Sequence, residues 1–173
     1  MTNSQNIIRL LLLFIILVLL QVVIFNNLDF LGFINPYPYI LFVMSMPFGV
    51  STSFLMIIGF GIGLTIDMFS NTPGMHAGSC VLLAYLRPWI LKLIALHDDY
   101  KTGNLPSSAS YGGMWYLKYT ILCVSIHHVV LFCFEQIDTI LWWPTLLRII
   151  LSIAASIVII YVSQIFIRIG GRE

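Results

Sequence analysis

The fold class this sequence predicts is an all-α membrane protein, one bundle of six membrane-crossing helices, and three observations predict it. The first is composition: of 173 residues 60% are hydrophobic and 9% charged, with a mean hydropathy of +0.99, where a soluble domain carries about 25% charged residues. Such a chain cannot cover a water-facing surface. The second is segmentation into apolar runs at about 7–25, 37–49, 51–69, 75–96, 114–134 and 146–168, most of them near the ~20 residues a helix needs to cross the hydrocarbon layer. The third is the placement of lysine and arginine. With six crossings and a cytoplasmic N-terminus, Arg9, Lys92, Lys101, Lys118, Arg168 and Arg172 fall inside, with Arg87 if it reaches that interface, and Arg148 alone lies outside. With five crossings most of these cations move outward, against the positive-inside bias. Both termini are therefore expected in the cytoplasm, and residues 1–173 form a single integral membrane domain. A net charge of +1 without a clustered basic face argues against a nucleic-acid binder.

The run 7–25 exceeds the 7–15 residues of a signal-peptide core and no small-residue cleavage site follows it, so it is expected to be retained. The run 37–49 is short. It follows Pro36 and Pro38, is interrupted by Pro47-Phe48-Gly49, and as a helix reaches only ~20 Å. It either crosses thin and tilted or dips in and returns; the charge argument favours crossing. Tyr37, Tyr39 and the pair Trp142-Trp143 are expected in the outer interfacial belt.

In the run 51–69, Gly59, Gly63 and Asp67 recur every fourth residue and share one helical face. That face lets another helix approach closely. A carboxylate at or near hydrocarbon depth costs about 2.5–3.5 kcal/mol, so Asp67 is expected to meet donors, the nearest being amides of the loop Asn71 to Met75 where the next helix begins. The simpler reading is that Asp67 marks the helix end and touches water and head groups. Gly74 and Gly78 open the next run as a second small-residue pair, expected to pack on the preceding helix. Pro88 is expected to kink or end that helix, leaving Trp89 and Lys92 as an interfacial extension through which Arg87 snorkels to the cytoplasmic face. Asp67 and Arg87 lie at different depths and are not expected to pair. The polar stretch 97–113 is a cytoplasmic connector or docking loop.

His127 and His128 are followed by Glu135, on the face of His127 and Leu131. Adjacent helical residues point about 100° apart, so one metal cannot readily take both imidazoles. They are expected to hydrogen-bond to neighbouring helices or to Glu135. Ser152, Ala155 and Ser156 form a packing stripe, and Cys80, Cys123 and Cys133, without C-x-x-C spacing, are expected to be buried thiols. Nothing resembles a nucleophile with its base, a phosphate loop or paired catalytic carboxylates. No catalytic, metal or cofactor residue is assigned and no enzyme is expected.

Pro47, Gly63-Leu64-Thr65-Ile66-Asp67, Gly74-Met75-His76-Ala77 and Ala84-Tyr85-Leu86-Arg87-Pro88, in that order, resemble the MreD family of rod-shape-determining proteins. The family pattern is a proline before the third helix, a G-L-x-x-D, a loop, a G-x-x-A and an A-Y. The motifs cover residues 47–88; size, helix count and topology agree over the whole chain, and Arg87-Pro88 with His127, His128 and Glu135 look like a Bacteroidetes-type branch. The resemblance implies a multi-pass protein of the bacterial plasma membrane that scaffolds the cell-wall elongation machinery. It would bind MreC, and directly or through MreC the filament MreB, the glycosyltransferase RodA and a class B penicillin-binding protein, with membrane lipid around it and no cofactor. Gly59, Gly63, Asp67, Gly74, Gly78, Arg87 and Pro88 are the expected partner or packing residues, with His127, His128 and Glu135 second. The family is also similar in fold to the S-components of energy-coupling-factor vitamin transporters. That implies the rival function, a substrate-binding transporter subunit, which needs an outward pocket with convergent polar groups. A membrane enzyme would need a His or carboxylate cluster at one depth, and the sequence shows none.

Overall fold

The computed structural model describes residues 3–27, 34–95, 100–135 and 142–170. Helix α1, Asn3–Leu19, continues through a π turn, Leu20–Ile24, and a 3-10 turn, Phe25–Asn27. A 3-10 turn, Pro38–Ile40, leads into the short α2, Leu41–Met44; then follow α3, Thr52–Ser70, α4, Met75–Ile94, the short α5, Ser108–Tyr111, α6, Gly113–Glu135, and α7, Trp142–Gly170. Among the described residues five helices are long and apolar enough to cross a membrane, namely Ile8–Asn27, Thr52–Ser70, Met75–Ile94, Gly113–Glu135 and Trp143–Gln164. Their outward faces are rows of large exposed apolar side chains, such as Leu11, Leu12, Ile15 and Leu19 on α1 and Ile57, Phe60, Leu64 and Met68 on α3. A surface of that kind is at ease only against lipid or other apolar helices.

Helices α3 and α4 form the tightest pair. A Cβ on Gly63 would lie 2.5 Å from Ala77 Cα, and one on Gly59 would lie 2.9 Å from the Cys80 carbonyl oxygen and 3.4 Å from Ala84 Cβ. Backbone thus meets backbone along the Gly59, Gly63, Asp67 face, which gives close van der Waals contact where no hydrophobic gain separates lipid from protein. Gly74 and Gly78 do not extend this seam, contrary to expectation. Gly74 has a φ of 84° and nothing within 4 Å of an added Cβ, while Gly78 faces the Phe134 ring of α6. The first serves the turn between the helices, where the left-handed conformation favours glycine; the second makes room for α6.

The run 37–49 is not a helix along its length. Only Pro38–Ile40 and Leu41–Met44 are helical, followed by turns through Pro47 and Gly49, whose φ is 82°. Proline supplies no amide and Gly49 leaves right-handed space, so the ladder cannot continue. The segment is nevertheless buried almost throughout, from Pro36 to Met44 and again at Met46 and Phe48. An unwound backbone at such depth survives only inside protein with its polar groups satisfied. The Asn35 amide donates to Ser152 Oγ at 3.0 Å and the Tyr37 amide to Ser156 Oγ at 2.9 Å. At the other end the Phe48 amide donates to the Asn104 carbonyl and the Gly103 amide to the Phe48 carbonyl, both at 2.9 Å. The segment is therefore a strap through the bundle interior, from the third and fourth turns of α7 to the loop before α5. Ser152 and Ser156, expected as a packing stripe, are its anchors.

Four further expectations change. Tyr37 and Tyr39 lie in the core, 6% and 0% exposed, and not in an interfacial belt, whereas Trp143 is 79% exposed; the Trp142 side chain is outside the described residues. Of the two outcomes expected at Pro88, ending the helix does not occur, since α4 continues to Ile94. Arg87 does not snorkel but is 3% exposed, while Trp89 is exposed with Lys92 Nζ 5.3 Å from its ring. Of the cysteines Cys80 and Cys123 are buried and Cys133 is exposed. Of the expected loop 97–113, residues 97–99 are outside the described residues, and from Tyr100 on it is a folded cap: Phe48 stacks on Tyr100 at 4.7 Å, and Trp115 Nε1 donates to the Tyr100 hydroxyl, which donates to the Leu91 carbonyl. Burial in this cap raises the Tyr100 phenol above its ordinary pKa.

Candidate polar sites of the bundle

Asp67, in the last turn of α3, is 4% exposed. Its Oδ1 accepts from Thr72 Oγ1 at 2.9 Å and from the His76 amide at 3.0 Å, and Oδ2 accepts from the Ala77 amide at 2.9 Å. Its backbone carbonyl also accepts, from the Thr72 amide. The two amides belong to the first turn of α4, where helical N–H groups have no partner of their own and the dipole favours an anion. The amides that bind the carboxylate lie one and two residues past the expected stretch Asn71 to Met75. Because Gly74 is the residue before the helix, the free amides are those of the second and third helical positions.

Arg87 has no carboxylate partner among the described residues. Its Nε donates to the Tyr119 hydroxyl at 2.7 Å, and Nη2 donates to the Met44 carbonyl at 3.4 Å and to the Met46 carbonyl. The Tyr119 hydroxyl donates in turn to the Met44 carbonyl at 3.1 Å, and the guanidinium lies 5.9 Å from the Phe48 ring centroid. These carbonyls are the ones the strap leaves free where α2 ends. Arg87 thus supplies donors to two carbonyls at and beyond the end of α2, where the helical ladder has stopped, and Asp67 and Arg87 act separately, as their depths implied.

The histidines form a third centre with residues the sequence left unassigned. Tyr39 Oη lies 2.8 Å from His76 Nδ1 and 2.7 Å from His127 Nε2. His128 Nδ1 is 2.9 Å from the Val124 carbonyl, and its Nε2 is 3.0 Å from Ser156 Oγ. A carbonyl only accepts, so in a neutral His128 the proton is on Nδ1, and Nε2 accepts from the Ser156 hydroxyl. That hydroxyl accepts from the Tyr37 amide, so His128 orients the anchor of the strap. The Tyr37 ring packs against His76, His127 and His128 at 5.1, 6.4 and 5.4 Å. The two adjacent histidines therefore serve two different neighbours. Glu135 is not among them: it pairs with Arg148 Nη1 at 3.1 Å, and the guanidinium lies 5.0 Å from the Phe132 ring centroid. No group of three or more His, Cys, Asp or Glu able to hold a metal occurs among the described residues.

Where α3 and α6 end and α4 and α7 begin, a cavity of about 390 Å³ opens. Amides of Asn26, Asn27 and Asn35, hydroxyls of Tyr37, Ser70 and Thr72, the His76 imidazole and the Glu135–Arg148 pair line it, with Val22, Phe25 and Phe69 at its apolar wall. Of these residues the sequence marked Glu135 as a candidate, Tyr37 as a belt residue, Arg148 as the outer cation, Asn26 and Asn27 as polar groups of the outer loops, and His76 within the Gly74–Ala77 motif. Comparison with protein-family models, with curated proteins and with solved structures gives no match to this chain.

Proposed function

We propose that this chain is a non-enzymatic scaffold of the MreD type in the bacterial plasma membrane, holding MreC and through it MreB, RodA and a class B penicillin-binding protein. One observation carries the reading: the motif residues on which the resemblance rests contact one another. Gly63 lies against Ala77, Asp67 binds the amides of His76 and Ala77, and Arg87 binds the carbonyl just before Pro47. Four short motifs thus behave as one structural unit, which is what a fold-defining set requires. The chain also carries very little mass outside its apolar helices, so its interactions fall to helix surfaces and short loops.

The strap supports six passes with both termini in the cytoplasm. It runs from Asn35, at the cavity beside Arg148, to the backbone of Asn104, a path that favours the even parity expected from lysine and arginine placement. Because the Gly59, Gly63, Asp67 face is closed against α4, MreC would meet the exposed apolar rows of α1 or α3. The test is depletion of the protein with cell width as the readout, joined to co-purification of MreC. Unchanged width and no MreC in the eluate would overturn the proposal.

A second reading, an S-component-like subunit of a small-molecule transporter, is favoured by the polar cavity, since binder pockets carry a few convergent polar groups. A tightly held vitamin in the purified protein would favour it over the scaffold.

A further inference from the structure

We propose that the cavity between Asn26 and Arg148 binds a small, uncharged, hydroxyl- and amide-bearing molecule of carbohydrate type. The proposal goes beyond the scaffold reading and does not depend on it. The volume, about 390 Å³, stands at the low end of the roughly 300–1,000 Å³ of small-molecule sites, which suits one or two sugar rings and not a polymer.

Charge selects the class of ligand. The ionic groups lining the cavity, Glu135 and Arg148, are matched at 3.1 Å, and Asp67 is satisfied behind Thr72 and the start of α4. An anion site would present a cation without a counter-charge and a cation site a carboxylate without one; among the described residues the one cation and the one carboxylate lining this cavity are paired with each other. What remains is a mixed set of neutral donors and acceptors, the Asn35 amide, the Ser70 hydroxyl and the His76 imidazole among them, beside the rings of Tyr37, Phe25 and Phe69. Hydroxyls that both give and accept hydrogen bonds match such a set, and the C–H faces of a sugar ring pack on aromatic surfaces.

The lining is also held in place. The Tyr37 amide is fixed by Ser156, the His76 ring by Tyr39, and Asn26 by Gln21 at 2.9 Å and by Ser70 at 3.0 Å. With its amide oxygen toward Arg148 Nη2 at 2.6 Å and its amide nitrogen toward the Ile34 carbonyl, Asn35 is fixed as well. Arg148 Nε is buried without a partner. A site whose polar groups are oriented before the ligand arrives loses less entropy on binding.

The test uses the full chain in lipid nanodiscs, titrated calorimetrically with N-acetylglucosamine and with its β-1,4-linked dimer, and with inorganic phosphate and alanine as charged comparisons. Saturable binding of a sugar at one site per chain is expected, weakened at least about tenfold in Ser70→Phe, which places a ring in the mouth of the cavity. The thermal midpoint of that variant is measured alongside; if it does not fold, Asn27→Trp, at an exposed position on the rim, replaces it. Absence of sugar binding, sugar binding that survives in the folded blocked variant, or preferential binding of phosphate or alanine would each overturn the proposal.

Discussion

At the scale of single residues, buried polarity inside an apolar bundle is tolerated only when each charge is matched to specific donors or acceptors. Asp67 meets that condition with one hydroxyl and two amides, all donors, so an amide in its place directs an NH2 group at an N–H. Asp67→Asn is expected to lower stability by about 1–3 kcal/mol, the cost of a buried donor left unpaired together with the lost charge-assisted bonds. The measurement is the thermal midpoint of the detergent-purified variant, with MreC retention and cell width read in parallel. A midpoint equal to that of the wild type would remove the capping role. Arg87 is the mirror case, a cation serving carbonyls. Arg87→Leu leaves the Met44 oxygen to Tyr119 alone and the Met46 oxygen without its donor, and is expected to cost more than Tyr119→Phe, which removes a single hydroxyl worth about 1 kcal/mol. Equal midpoints for the two variants would show that Arg87 does not hold the strap.

Between elements, the decisive contact is the seam of α3 and α4. Gly61 and Gly63 lie two residues apart in one helix, yet an added Cβ meets nothing within 4 Å at Gly61 and backbone at 2.5 to 2.6 Å at Gly63. Gly61→Ala should therefore be neutral or stabilising by up to about 1 kcal/mol through helix propensity. Gly63→Ala should cost about 1–3 kcal/mol, because the helices must separate to admit a methyl group. Thermal midpoints of the pair check this directly, and a Gly63→Ala variant as stable as Gly61→Ala would mean the seam is slack. The strap is the other element that matters. Its backbone is anchored at one end by serine hydroxyls on α7 and at the other by backbone pairing with the 100–104 loop. Ser156→Ala removes both the acceptor for the Tyr37 amide and the partner of His128 Nε2, and should cost more than Ser163→Ala, whose hydroxyl bonds only the Ile160 carbonyl of its own helix.

For the whole molecule, the proposed orientation is tested by the charge pattern of the loops. A reporter fused at residue 103 is expected to read as cytoplasmic and one at residue 139 as external, because Lys92, Lys101 and Lys118 flank the first and Glu135 and Asp138 flank the second. Residue 139 is outside the described structure, so this expectation rests on the sequence. Both reporters on one side would defeat the six-pass reading, and with it the assignment of the 100–112 cap to the cytoplasmic face.

Membrane character and the long helices were legible in the sequence, because hydrocarbon imposes a length and a composition that local runs either meet or do not. The close-packing role of Gly59 and Gly63 and the need of Asp67 for donors were legible too, since fourfold spacing on a helix defines a face before any partner is known. The tertiary structure alone decided what met that face: α4 of the same chain. It alone showed that Pro36 to Phe48 forms a buried strap, that Arg87 turns inward to the strap's carbonyls, and that Tyr37 and Tyr39 belong to a core with three histidines. The physical reason is common to all three. Hydropathy reports how much a segment avoids water, and a strap inside a bundle avoids it as well as a helix in lipid does. What separates them is whether each backbone N–H and C=O is satisfied locally or by distant side chains such as Ser152, Ser156, Tyr119 and Arg87, and those partners lie up to 119 positions away in sequence.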